Sequence, residues 1–157
     1  MRNKTAKWVA LYGMLISLAF IFSYIEAVIP IPIPVPGVKL GLANLVLIVG
    51  LYTVGISGTI AVSLVRIVLV GFTFGNLSSM IYSLAGGIVS LILMILLKKT
   101  GKFSQIGVSI IGGIGHNIGQ LTAAALITET AGVFYYLPFL IVAGVIAGAV
   151  IGLLGGM

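Results

Sequence analysis

Polar residues interrupt this chain rarely, and between the interruptions run apolar stretches of about 20 residues, the length a helix needs to cross a bilayer. The polar, Gly and Pro breaks delimit six such stretches, roughly 8–29, 38–54, 57–73, 78–97, 105–128 and 134–155. The pattern predicts an all-α integral membrane protein of six transmembrane helices. Residues 1–157 form a single transmembrane domain, with little chain left over for a soluble one.

Composition sharpens this reading. Of 157 residues, 61% are hydrophobic and 6% charged, and the mean hydropathy is +1.34, outside the range of soluble globular domains. Cysteine is absent, which excludes a disulfide framework, a thiolate metal site and a cysteine nucleophile. The first apolar run exceeds the about 7–15 residues of a signal-peptide core and no small-residue cleavage site follows it, so it reads as a retained helix.

Eight Lys and Arg stand against two acids, for a net charge of +6. Arg2, Lys4 and Lys7 precede the first run, and Lys98, Lys99 and Lys102 separate the fourth from the fifth. With an even number of crossings both clusters share one side, cytoplasmic by the positive-inside rule, giving N-in and C-in in the cell membrane. These clusters read as topology signals rather than a nucleic-acid surface. Topology leaves Lys39 and Arg66 unexplained.

IPIPIPVP, residues 29–36, cannot be helix, because each Pro lacks an N–H and pushes its predecessor to extended backbone. It is expected at the outer surface, either as a cap over a cavity or as a rigid connector, with Gly37 turning the chain into the second span. Gly144, Gly148, Gly152 and Gly156 recur every four residues. Such a stripe permits close helix contact, within the bundle or across a homodimer. Ala6, Ala10 and Gly13 form a weaker small face where a partner could dock.

Arg66 lies near the middle of the third span, where a charge costs a few kcal/mol and normally marks a bundle interior or wet cavity. Two readings stand: a structural pair with Glu26 or Glu129, or a cavity for an anionic ligand. In the fifth span Asn117 with Gln120, and His116 with Gln120, fall at helical spacing beside several glycines and can point into one cavity, and with a lone His and no Cys or Asp no metal site is expected. The outer loop GFTFGN and the following YSLAGG add Phe74, Asn76 and Tyr82, and Asn44 lies near the outer end of the second span. Cations, amides and aromatics together suit a flat or apolar ligand carrying phosphate or carboxylate.

GVKLGLANLVLIVGLY, the intramembrane arginine followed by GFTFGN, YSLAGG with the basic tail LLKK, and GVSIIGGIGHNIGQ occur in this order. Together they resemble the Gx transporter family, often labelled heptaprenyl diphosphate synthase component I. The resemblance implies kinship with the six-helix substrate-binding S components of energy-coupling-factor transporters. It also implies association with extracytosolic flavin and electron-transfer systems. A flavin is then the expected cargo, and Lys39, Asn44, Arg66, Phe74, Asn76, Tyr82, His116, Asn117 and Gln120 the expected substrate-binding residues.

On this view Lys39 and Arg66 neutralise phosphate. Asn44, Asn76, Asn117 and Gln120 bond the ring edge, and Tyr82 or Phe74 stacks on it. Prenyl synthases of the usual kind resemble one another in aspartate-rich magnesium motifs, whereas this chain has no Asp, so catalysis is not expected. It has no phosphate-binding loop of the G-x-x-x-x-G-K-[ST] type either, so any ATP-driven step needs a partner complex. The alternatives are a membrane binding subunit for isoprenoid diphosphate or quinone, and a non-transporting assembly subunit of a redox complex.

Overall fold

A computed structural model describes residues 2–29, 39 and 41–155. All but the first residue of the proline stretch lies outside them. The elements are α1 (Arg2–Val28), α2 (Asn44–Thr53), α3 (Gly55–Thr73), α4 (Leu77–Thr100), α5 (Gln105–Thr128), a 3-10 turn (Ala131–Tyr136) and α6 (Leu137–Gly155). With backbone hydrogen bonds closed inside each segment, this is the arrangement a bilayer permits.

Among the described residues, five segments are long and apolar enough to cross a membrane: Lys4–Val28, Gly55–Thr73, Leu77–Thr100, Gln105–Thr128 and Ala131–Leu154. The expected second span, 38–54, is instead a helix of 10 residues, about 15 Å long at 1.5 Å per residue. Gly41 adopts φ +91°, which disfavours L side chains. The Glu26 carboxylate takes the Gly41 and Leu42 N–H groups, so regular helix begins only at Asn44. At the other end Gly55, at φ +77°, turns the chain into α3 after one intervening residue.

The count of six crossings is thus corrected to five long helices and one short one, and the N-in/C-in reading loses the parity on which it rested. Contacts relate the basic clusters instead. The Lys98 ammonium donates to the Leu51 carbonyl near the end of α2, and Gly58, in the first turn of α3, lies against the Tyr12 hydroxyl in the N-terminal half of α1.

Short as it is, α2 touches every other helix. Its Leu47, Ile48 and Leu51 join Leu91, Met94, Val108 and Ile151 in one buried cluster, while Val46 joins Leu15, Ala19, Val54 and Val62 in another. The closest packing lies among α4, α5 and α6. A Cβ on Gly148 would stand 2.6 Å from Ile110 Cα, and one on Gly113 2.8 Å from the Gly144 carbonyl oxygen. The described part of the glycine stripe of α6 is therefore filled by α5, which favours contact within the bundle over a seam between copies. On α1, by contrast, Ala6, Ala10 and Gly13 face outward.

Candidate functional site

Arg66 projects from α3 into the bundle and is 3% exposed. Its Nη1 donates to Ser23 Oγ of α1 at 3.2 Å, while Nε and Nη2 have no hydrogen-bond partner among the described residues. One turn beyond Ser23 stands Glu26, also buried, which feels the charges of both Arg66 and Lys39. Its oxygen Oε1 accepts from the backbone N–H groups of Gly41 and of Leu42, the latter at 3.0 Å. Of the two acids that could face Arg66, Glu26 is the one beside it. Glu129 is exposed and caps α5 at φ 50°.

Lys39 reaches this centre from the loop and is anchored to α5. Its N–H donates to Gln120 Oε1 at 3.1 Å and its carbonyl accepts from Gln120 Nε2. Gln120 Nε2 also donates to Asn117 Oδ1 at 3.0 Å, and Asn117 Nδ2 to the Leu140 carbonyl of α6 at 2.6 Å. The two amides thus hold the loop and join α5 to α6, with most of their hydrogen-bonding capacity used. The Lys39 ammonium stands 5.9 Å from the Phe74 ring centroid, within cation–π range. That ring is braced edge-on by Phe20 and Tyr24 at 5.3 and 5.4 Å. Burial pulls the Lys39 pKa below its usual value, with the nearby Glu26 opposing and Arg66 adding to the effect.

Asn44 and His116 complete the cluster. A Cβ on Gly41 would lie 3.0 Å from Asn44 Nδ2 and 3.3 Å from His116 Cδ2, and one on Gly86 2.9 Å from His116 Nδ1. The imidazole is therefore fitted between two glycine backbones, and the charges of Arg66 and Lys39 reach it. Asn44 Nδ2 and Oδ1 and His116 Nδ1 lack partners among the described residues, as do Arg66 Nε and Nη2. An unpaired buried polar group costs about 1–3 kcal/mol, and native interiors keep such groups few. Asn44 and His116 meet at Gly41 and the Arg66 charge reaches His116, so these unspent atoms mark a place that can receive polar groups.

Two sequence candidates lie elsewhere. Asn76 is exposed and caps α4, its Oδ1 accepting from Ser79 N–H at 2.8 Å while Ser79 Oγ accepts from Asn76 N–H at 3.0 Å. Tyr82 is buried with Leu121, Ala124, Val133 and Leu140. The sequence does not single out Ser23 or the Gly41–Leu42 backbone, and it marks Glu26 only as a possible ion partner of Arg66. The available signal was spacing: Ser23 and Glu26 stand three residues apart on one helix face, and two acids in the whole chain make either one notable beside an intramembrane arginine.

A family model described as heptaprenyl diphosphate synthase component I matches residues 15–157. No curated protein and no solved structure matches the chain.

Proposed function

The chain belongs to the heptaprenyl diphosphate synthase component I family, and from that premise we propose that it binds and translocates a small anionic, cofactor-like molecule at the Arg66 centre. One observation carries the reading: buried Arg66 and Asn44 keep side-chain polar atoms without partners among the described residues, and His116, which packs with Asn44 against Gly41, feels the Arg66 charge. Intramembrane charges of this kind usually lie on a substrate path.

A flavin is the first ligand to test. Arg66 and Lys39 would meet its phosphate, and the free polar atoms of Asn44 and His116 its ring edge or ribityl hydroxyls. The bundle would act in the cell membrane in the manner of an S component, with its basic ends in the cytoplasm, and a partner complex or a gradient would supply energy. The chain has no aspartate with which to hold a diphosphate-bound magnesium in the usual way, so the role proposed is binding rather than prenyl transfer.

A lateral groove favours a second reading. Between α1, α2 and α6, Phe22, Leu45, Phe139, Val142, Ile146 and Leu154 line an apolar cleft of about 580 Å³. Leu42, whose N–H meets Glu26, lines it too. A molecule with an anionic head at Arg66 and a prenyl tail in this cleft would suit an isoprenoid diphosphate-binding subunit, in keeping with the family description.

Native mass spectrometry and absorbance of the detergent-purified protein separate the two. Bound flavin shows its absorption bands and mass, whereas a prenyl ligand is colourless and appears by mass alone. Either ligand should disappear in Arg66→Ala, and undiminished binding in that variant would remove the Arg66 centre from both readings.

A further inference from the structure

The Gly41 and Leu42 N–H groups point at one carboxylate, immediately before α2 begins at Asn44. Successive N–H groups at a helix N-terminus form an anion-binding concavity, favoured further by the helix dipole. Arg66 and Lys39 add two cations to this concavity, and both act on the anion within it. The anion is the protein's own Glu26.

A purely structural cap explains this poorly. A neutral Asn or Gln carbonyl could accept the same two N–H groups, whereas a carboxylate inside the membrane costs a few kcal/mol more. Nor is that charge bonded directly to the guanidinium. Arg66 spends Nη1 on Ser23 and leaves Nε and Nη2 unpartnered among the described residues, and the Asn44 amide beside Gly41 is equally unspent. These side chains are each more than nine-tenths buried. The carboxylate occupies the anion hole while the donors around it keep room for more.

We propose that Glu26 is an exchangeable internal anion: the anionic group of the ligand displaces it from the Gly41 and Leu42 N–H groups and takes up the free donors of Arg66. This deepens the proposed function and rests on its reading of the Arg66 centre. Glu26 then sets the threshold for entry. Two cations and one acid share the centre. A weakly bonding anion cannot dislodge the carboxylate, whereas one that also engages Arg66 and Asn44 can. Displacement also frees the turn Gly41–Ala43 from α1, coupling ligand arrival to movement of the segment that leads into α2.

The test uses the full chain in zwitterionic lipid nanodiscs, with inorganic phosphate and flavin mononucleotide as probes in calorimetric titrations. Glu26→Gln keeps an oxygen for the two N–H groups but removes the competing charge, so it should bind phosphate at least 10-fold more tightly than the wild type. Adding Arg66→Gln should abolish the gain. If Glu26→Gln does not fold, Glu26→Asp, whose shorter arm weakens the hold, should show a smaller tightening of the same sign. Unchanged or weaker phosphate binding in whichever of these variants folds, or no phosphate binding to it at all, overturns the proposal. Tighter phosphate binding without flavin binding keeps Glu26 as the internal anion and discards the flavin cargo.

Discussion

Gln120 bonds both backbone hydrogen-bonding groups of Lys39, a residue 81 positions away in the chain. One side-chain amide thereby replaces the neighbouring strand or helical turn that would otherwise satisfy that peptide. Removing it leaves a part-buried N–H and C=O without partners in an apolar setting. With each net bond worth about 0.5–1.5 kcal/mol, Gln120→Leu should destabilise the fold by roughly 1–3 kcal/mol. Thermal unfolding in detergent measures this, and hydrogen exchange at Lys39 should rise in the same variant. Gln120→Glu keeps the acceptor for Lys39 N–H but loses both donated bonds, and should fall between.

Gly41 provides a sharper local test. Its φ of +91° and the 3.0 Å approach of a would-be Cβ to Asn44 Nδ2 act together. A left-handed backbone costs an L residue about 1–2 kcal/mol, and the clash would push Asn44 and His116 apart. Gly41→Ala should lower stability by at least that amount and weaken ligand binding more than Gly55→Ala. Gly55 also has positive φ, but no heavy atom lies within 4 Å of its built Cβ. Equal effects on binding would mean that Gly41 serves the turn alone.

Lys39 predicts a pH dependence. Burial, reinforced by Arg66 and opposed by Glu26, holds its folded pKa below the ordinary 10.5. Between the folded value and 10.5 the folded protein has shed a proton that the unfolded chain retains, so the contribution of this group to stability rises with pH. Anion binding moves the other way, because the ammonium is lost. Phosphate affinity should fall as pH climbs toward 10.5, beginning below it, and Lys39→Arg should flatten the fall, since guanidinium stays charged.

Asn76 separates capping from ligand contact. It satisfies the first turn of α4 through a reciprocal pair of bonds with Ser79, and losing such a cap costs typically about 1 kcal/mol. Asn76→Ala should therefore lower the melting temperature while ligand affinity stays at the wild-type value. A loss of affinity with little loss of stability would return Asn76 to the site.

The sequence carried the class of the fold and part of the site for identifiable reasons. Long apolar runs report membrane crossing because lipid requires every backbone group to be bonded internally, and Arg66 stood out because so few charges compete with it. Lys39, Asn44 and His116 do gather with Arg66, whereas Asn117 and Gln120 serve chiefly as loop and helix anchors. That distinction depends on which atoms they meet across the bundle, and composition does not encode it. The motif N-L-S-S at residues 76–79 could have been read as a capping box. The shortness of α2 was hidden because Gly41-Leu42-Ala43 is as apolar as helix. What stops the helix there is a turn held by Glu26, 15 residues earlier in the chain.

The two small-residue faces of the chain make opposite predictions. On α6 the glycines are where α5 lies: a Cβ on Gly148 would stand 2.6 Å from Ile110 Cα and 2.9 Å from the Ser109 carbonyl oxygen, both backbone atoms that no rotamer change can move. Overpacking typically costs about 1–3 kcal/mol, and a β-branched residue against backbone belongs at or above the upper end, so Gly148→Val should abolish the folded monomer. On α1, Ala10 is exposed and a Cβ on Gly13 meets nothing within 4 Å, so Ala10→Leu and Gly13→Leu should fold normally. Fluorescence-detected size exclusion of the three variants measures both outcomes. A well-folded Gly148→Val that merely lost a dimer peak would restore the stripe as a seam between copies, and would require α5 to pack elsewhere.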